Sequence, residues 1–181
     1  IDPSASSTSQ RNGNTAGYVL ADIGCKGGVR SNHCTATSNQ DRRSFFYPPD
    51  VAQVRDETFS STSKYDYVTI ATGDREDPLD KKTQVLSQTP VNNRIYALRD
   101  TNIKLGPPAT TPSAIVESAL YDASVDVLGN TASPGFATAL TNIKASKGWF
   151  VDLKKSTTPQ WIGEKSLAKT TIYAGVLYVT T

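Results

Sequence analysis

The sequence predicts a mainly β fold of antiparallel strands with one or two short helices inserted. Three observations carry this: strand-like runs occur in both halves of the chain, the turns between paired runs are short, and no strand–helix–strand alternation calls for a parallel sheet. At 181 residues and 37% hydrophobic content, the chain is long enough to bury one sizeable core or two small ones.

In chain order, residues 1–17 are small, polar and without periodicity, and read as a flexible lead-in with no chemistry. The domain then spans 18–181. "YVLADI" (18–23) is a short strand. In "RRSFFYPPDVAQVRDETF", Pro48 and Pro49 forbid a helix interior and a central strand, so Phe45, Phe46 and Tyr47 are expected at an edge. "YDYVTIATG" (65–73) and "RIYALRD" (94–100) have the β-branched and aromatic content of buried strands. A helical insertion is expected around 106–148. Its first helix has Thr111 as cap, Pro112 at the first position and Ile115, Ala119 and Leu120 on the apolar face. Its second has Ser133 as cap, Pro134 as start, Phe136, Leu140 and Ile143 at helical spacing, and Gly148 as terminator. The tail returns to β with "GWFVDLK" (148–154) and with "EKSLAKTTIYAGVLYVTT" (164–181), a hairpin around Ala174-Gly175 whose last strand runs to the end of the chain.

The 19 basic and 17 acidic residues give a formal net charge of +2 and are well mixed. No basic run marks a phosphate-tracking surface, so nucleic acid is not an expected partner. No window approaches a membrane span, and no signal peptide is visible. The start at Ile1 and the lack of methionine are those of a processed product or an excised fragment.

Cys25 and Cys34 are the only cysteines, and the loop between them contains Gly27 and Gly28. They read as a local disulfide worth roughly 2–3 kcal/mol at most, pointing to an oxidising compartment. Zinc would need four ligands, and only His33 stands near the two thiols. The same His33 is the only histidine and no Gly-x-Ser-x-Gly is present, so a Ser-His-Asp hydrolase has little support. Trp149 and Trp161 sit in strand-like contexts and are expected in the core.

The acidic cluster Asp74, Glu76, Asp77 and Asp80 follows the 65–73 strand directly. Interruption by Arg75 and Pro78 reads as an exposed polar turn rather than an acid–base pair, with Gly73, Asp74 and Arg75 forming the structural turn. Calcium is the alternative, because hard cations take several oxygens from one turn, although no Asp-x-Asp-x-Asn-x-Asp loop is present.

Several stretches, taken together, resemble the C-terminal region of the PilY/PilC family of type IV pilus tip-associated proteins. They are "RRSFFYPPDVA" (42–52), "YDYVTIATGDREDP" (65–78), "NNRIYALRD" (92–100), "IVESALYDAS" (115–124), "KGWFVDL" (147–153) and "TTIYAGVLYVTT" (170–181). Ser44 interrupts the family's Arg-Arg-Phe-Phe run, and nothing here matches the family's calcium loop. The resemblance implies part of a quinoprotein-like β-propeller that is not an enzyme. It also implies a place at the pilus tip, outer membrane or periplasm, and roles in pilus assembly, retraction control and adhesion. Expected partners are minor pilins or other tip components, and a host-cell or abiotic surface. Two alternatives stay open: a fragment of a quinone-dependent dehydrogenase, which shares the blade type, and a calcium-binding extracellular module.

Overall fold

The computed structural model describes residues 18–24, 43–55, 64–76, 91–103, 112–125, 127–153 and 164–181. Nine strands are described: β1 (Ala21–Asp22), β2 (Asp50–Val54), β3 (Tyr65–Ala71), β4 (Arg94–Asp100), β5 (Ile115–Val116), β6 (Tyr121–Asp122), β7 (Gly148–Asp152), β8 (Thr171–Tyr173) and β9 (Val176–Tyr178). One α-helix, α1, spans Phe136–Ala145. The fold is mainly β, as the sequence predicts.

Strands β2, β3, β4 and β7 form an antiparallel meander, and β6 adds to the outer edge of β7 in parallel. A second parallel pair, β1 with β5, stands apart from this sheet. The β2 strand starts directly after Pro49 and lies at the sheet edge, where the missing proline N–H groups break no ladder. Phe45 and Phe46 are exposed beside it, with the Phe45 ring 6.1 Å from that of Tyr96.

Because side chains alternate along a strand, register assigns each residue to a face. Val68 opposes Leu98, Ile70 opposes Tyr96, and Tyr96 opposes Phe150. These side chains share one face and meet Ile23, Ile115 and Leu120, which cover them as the main apolar cluster. The other face carries Tyr67 opposite Arg99, Thr69 opposite Ala97, and Ala97 opposite Trp149. There the 164–170 segment lies against β3. The buried Thr69 and Thr170 hydroxyls approach to 3.2 Å, and the Thr170 hydroxyl donates to the Thr69 carbonyl at 3.0 Å.

The first predicted helix, with Pro112 at its start, is not formed. Residues 115–122 run as β5, a single 3-10 turn (Glu117–Ala119) and β6. Tertiary hydrogen bonds override the local helix signals: the Ile115 N–H donates to the Leu20 carbonyl at 2.8 Å, and Lys147 N–H to the Ala119 carbonyl at 2.8 Å. In this extended form Ile115 and Leu120 are buried in the main cluster. The second helix forms, but its cap residue is Gly135 rather than Ser133. Ser133 instead closes a turn, its N–H donating to the Asn130 carbonyl at 3.0 Å and its carbonyl accepting from Phe136 N–H.

The helix ends at Ala145, two residues before Lys147 and three before the expected terminator. Gly148 opens β7 with φ +143°, and a Cβ there would lie 2.1 Å from the Ala97 carbonyl oxygen, so its role is close strand pairing. The tail hairpin turns at Ala174 (φ 50°) and Gly175 (φ 79°), the two positive values of a type I′ turn. Its last strand stops at Tyr178 rather than at the chain end.

Candidate functional site

Four of the charged residues embedded in the apolar runs converge at one end of the main cluster. Arg43 lies in the segment leading to β2, Arg94 begins β4, Glu117 occupies the 3-10 turn, and Asp152 ends β7. The Oε1 of Glu117 accepts from Arg43 Nη1 at 2.7 Å, from Tyr96 Oη at 2.5 Å and pairs with Arg94 Nη1 at 2.9 Å. Arg94 Nε donates to Asp152 Oδ1 at 2.5 Å, and its guanidinium stands 4.1 Å from the Phe150 ring centroid. Asn92 joins the two halves: its backbone carbonyl accepts from Arg43 Nε at 2.8 Å, and its Nδ2 donates to Asp152 Oδ2 at 3.0 Å. The Oδ1 of this asparagine is buried and meets no donor among the described residues.

The electrostatics follow from burial. The Arg43 side chain is fully buried and that of Glu117 nearly so. Among the described residues two guanidiniums face two carboxylates, so their charges balance within the low-dielectric site. Burial alone would lower the Arg94 pKa, but its hydrogen bond to Asp152 and the charges of Glu117 and Asp152 outweigh that and raise it. For Tyr96, burial comes first and raises the phenol pKa, opposed by Arg43 and reinforced by Glu117. Glu117 Oε1 is enclosed by three donors of the protein itself. The arrangement holds four chain segments together, and its chemistry is that of a tie.

The predicted site residues fall elsewhere. Asp74 Oδ1 accepts the Glu76 N–H at 3.0 Å, which is the geometry of a carboxylate closing its own turn. Gly73 is placed by close approach: a Cβ would stand 2.1 Å from the Ser166 carbonyl oxygen, while its N–H donates to the Ser44 carbonyl at 3.0 Å. Asp77 and Asp80 lie outside the described residues, as do Cys25, Cys34, His33 and Trp161. Among the described residues no group of three or more His, Cys, Asp or Glu side chains is placed to hold a metal ion, and no helix is long and apolar enough to cross a membrane. Trp149 is half-buried on β7, opposite Ala97.

The tie itself was not anticipated from sequence. A carboxylate inside "AIVESAL" and another inside "WFVDL" are the visible signal, since an acid within an apolar run must find a buried partner or leave the core. Which arginines answer them depends on long-range pairing.

The fold and this tie define a mainly β protein with an antiparallel sheet fastened by a buried ion network. The chain matches no known family model, no curated protein and no solved structure.

Proposed function

We propose that this chain is a non-enzymatic part of a type IV pilus tip-associated protein of the PilY/PilC kind. It acts in pilus assembly and retraction control and in attachment to a host-cell or abiotic surface, with minor pilins or other tip components as partners at the cell surface. The antiparallel strands β2-β3-β4-β7 lie in a five-stranded sheet whose outer strand β6 runs parallel to β7, and in this reading the four antiparallel strands belong to one blade of a quinoprotein-like propeller.

The observation that carries the reading is where the resembling stretches meet. Residues 42–52, 92–100, 115–124 and 147–153 contribute Arg43, Arg94 with Tyr96, Glu117 and Asp152 to one buried tie. A shared sequence pattern whose polar members fasten the fold, and do not line a reactive cleft, fits a scaffold that presents loops better than it fits a catalyst. Deleting the encoding region in the source organism tests the reading, with surface pili counted and adhesion measured. Loss of piliation or of attachment is expected; normal values of both would remove the proposal.

A further inference from the structure

The β8–β9 hairpin is a two-stranded sheet of its own, and such a unit is marginal without support from other elements. Its inner face offers only the half-buried Ile172 and Leu177, while Tyr173 (72% exposed), Val176 (51%) and Tyr178 (55%) face outward. Both ends are rooted in one place. Thr170 is bonded to Thr69, and the Thr180 carbonyl accepts from Leu167 N–H at 3.1 Å and Ser166 Oγ at 3.3 Å. Beyond that root, β8 and the segment before it make polar contacts with Asp50 of β2. In a hairpin closed by Ala174-Gly175, Tyr173 and Val176 exchange hydrogen bonds, so the Ile172 N–H points out of the ladder. That N–H donates to Asp50 Oδ2 at 2.8 Å, and Lys169 Nζ stands 3.1 Å from Asp50 Oδ1.

We propose that this hairpin is a flap latched to edge strand β2 by the Asp50 carboxylate, and that protonating the carboxylate frees the flap tip while the five-stranded sheet stays folded. The groups facing Asp50 are few. Lys169 supplies the charge from the segment before β8, β8 itself supplies the Ile172 N–H, and the β3 register partner is the uncharged Thr69. The Ile172 N–H first, and then Lys169, hold the Asp50 carboxyl below its ordinary value of 3.8. A lowered folded pKa means that the latch is fully present above the ordinary carboxylate range and is lost as pH falls below it, through the folded pKa. Few buried apolar contacts beyond the root make local opening easier than opening of the sheet.

Amide exchange by NMR, expressed as protection factors to remove the pH dependence of intrinsic exchange, reads this directly at Ile172. Tyr96 and Leu98 of β4 serve as references. Between about pH 6 and about pH 3, Ile172 in the wild type loses protection severalfold relative to β4. Asp50→Ala has the low value already at about pH 6 with β4 protection kept, and Lys169→Gln, which lets the folded pKa rise toward the ordinary value, makes the acid-induced loss smaller. Wild-type protection at Ile172 in Asp50→Ala, or loss at Ile172 and β4 together in that variant, overturns the proposal. Should acid unfold the whole sheet, the comparison at about pH 6 decides alone.

Discussion

Glu117 holds two guanidiniums and a phenol on one oxygen, so removing it takes the shared carboxylate from Arg43 and Arg94 and the acceptor from Tyr96 inside a buried site. Uncompensated buried charge is the costly case, and Glu117→Ala is expected to lower unfolding free energy by about 3–5 kcal/mol. Urea denaturation measures it, and a loss no larger than that of an exposed acid such as Asp122 would contradict the tie. Combining Glu117→Ala with Arg43→Met should recover part of the loss, since the double variant has one buried cation fewer to balance. At this scale the sequence was partly legible. The carboxylates within apolar runs were in view, but the partners of Glu117 lie 74 and 23 positions away, and no local pattern encodes such a pairing. Gly148 was legible as a special position and not as to its reason: its φ of +143° and the approach of Ala97 come from β4–β7 pairing.

Elements whose local and tertiary preferences agree were read correctly. β3, β4 and β7 combine β-branched and aromatic residues with burial, and their starts match the structure at Tyr65, Arg94 and Gly148. The 111–124 stretch failed because Ile115 and Leu120 satisfy both a helical face and an extended packing, and pairing with the Leu20 and Lys147 backbones chose the second. Helix α1 was legible, yet its ending was not. Arg99 from β4 places its guanidinium on the carbonyls of Ile143 and Lys144, so a distant strand supplies the C-terminal cap. Arg99→Met should therefore fray the last turn of α1, seen as faster amide exchange at Ala145 and Ser146 with the β3–β4 amides little changed. The β8–β9 turn gives the opposite sign. Ala174 sits at φ 50°, a left-handed conformation that Asn or Gly adopts more readily than Ala. Ala174→Gly is expected to stabilise the hairpin by up to about 1 kcal/mol, as a slower exchange of Tyr173 and Val176 amides.

For the molecule as a whole, the packing of tyrosines against the sheet fixes the alkaline limit of stability. Burial pushes the Tyr67 phenol up to about 12, with Arg99 opposing and Tyr65 reinforcing. Tyr96, inside the tie, is also raised, and so is Tyr18, first by burial and then by its hydrogen bonds to Asp100. A raised folded pKa gives stability that is fully present below the unfolded value of 10.0 and is lost as pH climbs through the folded value. For Tyr67 alone, this rise corresponds to roughly 2–3 kcal/mol. The fold should therefore hold through neutral pH and lose stability steeply between about pH 10 and about pH 12. Ionisation of Tyr67 and Tyr96 then coincides with unfolding of the sheet. Tyrosinate absorbance followed alongside far-UV circular dichroism measures both events. Tyr67→Phe removes one of the linked protons and should flatten the pH dependence across this window, even where the lost Trp149 and Arg99 hydrogen bonds lower stability at neutral pH. An unchanged slope in Tyr67→Phe would mean that the phenol is as solvated in the folded sheet as in the unfolded chain, and would overturn this account of the alkaline limit.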